Sequence, residues 1–112
     1  MARTRAPRLG HHITMARYVT RVELHDAKIP RDTDALQKAM LEEGFVATIK
    51  GGSGQLYRLP SGEFYRDEEV TMAEVLQFAK NAAERTGRRF SILVSEAPNS
   101  TWFHLLPAKQ NA

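Results

Sequence analysis
An α+β fold is what this chain predicts, and three observations carry it. Two stretches repeat apolar residues at helical spacing, and short stretches of period-2 alternation surround them in the order β-α-β-β-α-β. The second helical stretch, Val70 to Gly87, bears start and stop signals at both ends. The length of 112 residues suits one domain with one modest core. Right-handed crossovers through both helices would stack them together on one side of the strands. The expected arrangement is therefore ferredoxin-like, two helices on one face of a four-stranded antiparallel sheet.

Arg17 to His25 reads RYVTRVELH, with Tyr18, Thr20, Val22 and Leu24 on one side and Val19, Arg21, Glu23 and His25 on the other. That is a strand with one buried face. After the loop around Pro30, Asp32 or Thr33 is placed to cap a first helix, Leu36, Ala39 and Met40 form its inner stripe, and Gly44 closes it. Phe45, Ala47 and Ile49 alternate with Val46, Thr48 and Lys50 in a second strand. Gly51-Gly52-Ser53-Gly54 turns the chain into a third strand, Gln55 to Leu59, which is expected to lie centrally beside the first. Glu63 to Arg66 reads as a short irregular strand, and Asp67, Glu68 and Glu69 set negative charge before the second helix. In that helix Thr71 and Glu74 have capping-box spacing, with Val70 and Val75 as the flanking staple. Met72, Val75, Leu76, Ala79 and Ala83 are its expected inner face. Phe90, Ile92 and Val94 alternate with Ser91, Leu93 and Ser95 in the last strand. The segment after Glu96 contains Trp102, Phe103, Leu105 and Leu106 and is expected to pack back on the domain.

Apolar residues make up 42% and charged ones 26%, the proportions of an ordinary globular chain. With no cysteine, disulfides and thiolate metal sites are excluded. No apolar run approaches the roughly 20 residues that cross a bilayer, and the first residues lack the apolar middle of a secretory signal. A cytoplasmic protein without a membrane partner is expected. The net charge of +3 comes from Arg3, Arg5 and Arg8, because the acids and bases from Met15 onward cancel. Residues 1–14 are expected to be a mobile basic tail, with Met15 an alternative start; residues 15–106 form the folded domain, and 107–112 a flexible C-terminus. A neutral domain argues against duplex DNA as a partner.

His25 and Asp26 close the first strand. Such a pair can do general acid–base work on a ribose hydroxyl or hold a divalent metal. Adjacent strand residues point to opposite sides, so a polar strand end with Asp26 as a turn residue is the plainer alternative. Lys50, Arg58 and Arg66 gather around the glycine-rich turn with Tyr57 and Tyr65 interleaved, the composition of a single-strand nucleic-acid surface, although Glu63, Asp67, Glu68 and Glu69 weaken its field. The glycine-rich turn itself lacks the GK[ST] of a phosphate-binding P-loop. The segment GQLYRLP is not the aromatic signature of an RRM, so base stacking on the open sheet face is not expected. His11-His12 and His104 read as tail residues rather than ligands.

Three segments, ARYVTRVELHDA, IKGGSGQLYRLPSGEFY and FSILVSEAPNSTW, together resemble a family of small bacterial proteins grouped with the type V toxin–antitoxin antitoxin, an endoribonuclease of about this length. The resemblance spans most of residues 15–106. It implies a fold similar to the small nuclease-like proteins of CRISPR adaptation, and cleavage of a toxin's messenger RNA. Those proteins carry an Asp at the end of the first strand, and Asp26 occupies the matching place. The resulting expectation is an antitoxin-type endoribonuclease or RNA-directed regulator acting on single-stranded RNA. Asp26 and His25 would be nearest the chemistry and Lys50, Tyr57, Arg58 and Arg66 nearest the RNA, with no cofactor beyond a divalent metal at Asp26. The alternative is a non-enzymatic interaction module, a monomer or a homodimer pairing through the open sheet face or an edge strand.

Overall fold
β1 (Ala16–Leu24), α1 (Arg31–Glu42), β2 (Thr48–Lys50), β3 (Leu56–Arg58), β4 (Glu63–Glu68), α2 (Met72–Glu84) and β5 (Phe90–Glu96) follow one another along residues 16–108, the part of the chain that this computed structural model describes. The expected mobile tail, residues 1–14, lies outside the described residues. The fold is α+β. An antiparallel sheet has the order β4-β1-β5, and β2 with β3 makes a separate two-stranded hairpin. Tyr18 faces Arg66 on one flank of β1 and Glu96 on the other.

The expectation of a central strand at 55–59 is corrected. Residues 63–68 lie beside β1 instead, with only the Val46 bridge beyond them, and the reason is what each stretch can bury. β4 alternates cleanly, with Phe64 and Arg66 in the interior and Tyr65 and Asp67 on the other side, whereas neither three-residue arm of the hairpin has a buried residue. The second strand is also shorter than expected. Val46 contributes a single bridge to Tyr65, through N–H···O bonds of 2.8 and 2.7 Å, and the chain then leaves the sheet for the hairpin. Three strands and one bridge replace the expected four full strands.

The register of β1 is as expected: Tyr18, Thr20 and Val22 are buried while Arg21 and Glu23 are exposed. Their inner face joins Leu36, Ala39 and Met40 of α1, Phe45, Phe64, and Val75, Ala79, Ala82 and Ala83 of α2 in one core, with Phe90, Ile92 and Val94 packed against it. Three alanines on α2 let the helix settle close to the sheet. Met72 and Leu76, expected on that face, are 43% and 39% exposed. Leu76 lies roughly 100° around the helix from Val75 and so falls on the flank, while Met72 sits in the first turn. Ile49, also expected inside, leaves with the hairpin and is only half-buried.

The capping box of α2 is present, with Glu74 N–H donating to Thr71 Oγ1 and Thr71 N–H to Glu74 Oε1. At α1 the expected side-chain cap is absent: Pro30 is the N-cap, and Thr33 Oγ1 donates to Pro30 O. Asp32 instead turns inward, accepting from Lys28 N–H at 2.8 Å and Arg88 Nε at 2.7 Å. The Lys28 backbone bond, helped by Arg88 and opposed by burial, holds its carboxyl below the usual range. Arg85 bonds Glu42 and Glu43 and ties the C-terminal ends of the two helices together.

The C-terminal segment does return to the domain, onto the hairpin. Arg58 N–H donates to Leu106 O, Ala108 N–H donates to Leu56 O, and Pro107 bridges Tyr57. Pro107 and Ala108, expected in the flexible end, are therefore held by backbone pairing. Trp102 rests against Tyr57, but Phe103 is 82% exposed, so only part of the apolar set is covered.

Candidate nucleic-acid interface
Beyond Leu24 the chain leaves the centre of the sheet through His25 and Asp26. His25 N–H donates to Arg89 O at 2.8 Å, and its Nε2 lies 2.9 Å from Ser91 Oγ on β5. Asp26 adopts left-handed backbone, φ 61°, which aspartate tolerates better than most residues. Its side chain is 80% exposed, and its ionic contact is Arg89 Nη2 at 3.4 Å. The two side chains thus sit together at one strand end but take different partners. Among the described residues no group of three or more His, Asp or Glu side chains gathers as a metal site.

The hairpin residues are not brought to that end. Lys50 is exposed and lines a cleft of about 390 Å³ with Arg17, Tyr65 and Asp67, where the hairpin meets the N-terminal half of β1. Nine residues of β1 at about 3.3 Å each put roughly 30 Å between this cleft and Asp26. Arg58, also exposed, lines a different depression with Gln37, Leu59 and His104. Tyr57 spends its ring on Trp102, at 5.4 Å between centroids and a tilt of 51°.

Arg66 is removed from the surface altogether. Its side chain points into the interior from β4, the residue is 7% exposed, and its guanidinium lies 4.8 Å from the Phe45 ring centre and 4.7 Å from that of Phe78. Nη1 donates to Glu43 O, Nη2 bonds the Glu68 carboxylate, and Nε finds no partner. The expectation that Arg66 contacts RNA is corrected: period-2 alternation in β4 sends it to the core with Phe64. Glu68, assigned by the sequence to helix-dipole stabilisation, is the counter-ion of this buried cation.

The same alternation shows what was missed. On the open sheet face Arg17 stands opposite Asp67, Val19 opposite Tyr65 and Arg21 opposite Glu63, with Ser95, Leu93 and Ser91 along β5. The aromatic residue on this face is Tyr65, which belongs to EFYRDE of β4 and not to GQLYRLP. Burial pushes the Tyr65 hydroxyl up from its ordinary pKa, Asp67 adds to this, and Arg17 works against it. Reading 63–68 as the strand beside β1 would have found Tyr65; Arg17 was visible in the alternation of β1 itself.

Comparison with known proteins finds no matching family model, no similar curated protein and no similar solved structure. Among the described residues no helix is long and apolar enough to cross a membrane.

Proposed function
We propose that this protein is an RNA-directed regulator of the antitoxin-endoribonuclease type, acting on single-stranded RNA. The observation that carries this is the placement of His25 and Asp26 directly after the central strand, open to solvent, with the Arg89 cation beside them. The topology is in keeping with it. Counting the Val46 bridge as a remnant strand, the order β5-β1-β4-Val46 is the one a ferredoxin-like sheet would have were its last strand shortened to a contact. In cleavage, His25 or Asp26 would take the ribose 2′-OH proton, O2′ would attack the adjacent phosphorus, and the 5′-oxygen would leave with a proton. Arg89 is placed to meet the phosphate charge that grows in that step.

The test incubates the full chain with end-labelled single-stranded RNA, with and without a chelator. Wild type should yield cyclic-phosphate ends in both conditions, and Asp26→Asn and His25→Ala should lower the rate. Equal traces of product from all three proteins would mean contamination, and the enzyme assignment would be lost. A pairing module is favoured by one different observation. β5 is an edge strand carrying Leu93, 64% exposed, on the open face, so a second copy could extend the sheet there.

A further inference from the structure
We propose that the cleft between the β2–β3 hairpin and the open sheet face is a nucleotide subsite, taking a phosphate on Arg17 and Lys50 and a nucleobase against Tyr65. It deepens the RNA-directed assignment and rests on it for the class of ligand. The volume of about 390 Å³ lies within the range of small-molecule sites. Its polar groups come from four separate segments: Arg17 from β1, Thr48 and Lys50 from the hairpin, Tyr65 and Asp67 from β4, and Ser100 from the chain after β5. Arg17 is oriented by donating Nη1 to Pro98 O at 3.0 Å, which leaves the rest of its guanidinium fork for an anion. Neither Arg17 nor Lys50 makes an ion pair with another described residue. Asp67, the acid of the cleft, can accept from a base amino group or a ribose hydroxyl, so the site offers recognition at both ends of a nucleotide.

The cleft wall is built rather than incidental. Gly51 N–H donates to Gln55 O at 2.8 Å, and a side chain at Gly51 would come within 3.1 Å of Tyr57 and 3.4 Å of Trp102, so the turn is seated on the aromatic pair. A second cleft of the same volume, beside α1, serves as an internal control. There Glu23, Asp34 and Glu63 face Arg21, a balance that repels phosphate.

Amide-resolved NMR of the full chain, titrated separately with AMP, adenosine and inorganic phosphate, tests this. AMP should shift the amides of residues 48–51, 65 and 97–100 with millimolar affinity, and adenosine and phosphate should each shift the same set more weakly. Arg17→Ala with Lys50→Ala should weaken AMP roughly tenfold. Tyr65→Leu should weaken AMP and adenosine while sparing phosphate. Lys50 is exposed, so Lys50→Ala alone keeps the test open should the Tyr65 variant misfold. The proposal is overturned if AMP leaves those amides unmoved, if the variants do not change its affinity, or if the shifts map to the acidic cleft. An RNA oligomer that binds at the Asp26 end while AMP ignores the cleft would remove the subsite and leave the RNA assignment standing. AMP binding that depends on Lys50, with no RNA bound or cleaved, would keep the subsite and remove that assignment.

Discussion
Arg66 and Thr20 are the buried side chains that keep a polar atom without a partner among the described residues, and they should respond to substitution differently. Arg66→Met would keep much of the volume between Phe45 and Phe78 but lose the bonds to Glu43 O and Glu68. We expect a loss of about 1–3 kcal/mol in urea unfolding, because Glu43 O is left without its donor while the half-exposed Glu68 carboxylate loses its counter-ion. Gly44→Ala should fail for a related reason. Gly44 has φ +97°, and a Cβ there would lie 2.8 Å from Arg66 Nη2, so the variant should lose about 1–2 kcal/mol or more. Thr20 is the opposite case. It is fully buried with its Oγ1 unpartnered, so Thr20→Val should be neutral or stabilising by about 1 kcal/mol, and a clear destabilisation would show that the hydroxyl has a partner. Asp32 supplies the pH dependence. Its folded pKa lies below the ordinary 3.8, so its contribution is complete above that value and fades as pH falls below it. Melting temperature of wild type should therefore drop with acid in that window by more than that of Asp32→Asn.

Among the elements, α2 stands on its cap. Thr71→Ala removes the acceptor for Glu74 N–H and should cost about 1 kcal/mol, read as a lowered urea midpoint. That helix was legible because both its cap and its alanine-rich face are local patterns, as was the alternation of β1 and β5. What was not legible was the competition between the two candidates for the strand beside β1. The segments 55–59 and 63–68 both alternate, and only the tertiary demand for Phe64 and Arg66 in the core decides between them. The same choice governed the site. With 63–68 beside β1, Arg66 turns inward and Tyr65 outward, so a residue expected on RNA became a buried cation and one only noted in passing joined the open face. The strand-end pair His25–Asp26 was found from sequence because it depends on the boundary of β1 alone.

Across the whole molecule, an acid and an imidazole lie at one end of the central strand, and at the other, about 30 Å away by strand geometry, lie Arg17 and Lys50, which make no ion pair with another described residue. An RNA that touches both must run along the open face, past Val19, Arg21 and Tyr65. That face sets Arg17 and Arg21 against three acids, Glu23, Glu63 and Asp67, so affinity cannot come from bulk charge. A titration of the full chain with a labelled single-stranded RNA, across a series of salt concentrations, tests this most directly. Weak binding at low salt is expected, with a shallow slope of about −1.4 in log K against log salt, from two neutralised phosphates, one in the cleft and one beside Arg89. Lys50→Ala should halve the slope, and duplex DNA of equal length should compete poorly. Absence of binding at the lowest salt, or a slope unchanged by Lys50→Ala, would contradict this reading.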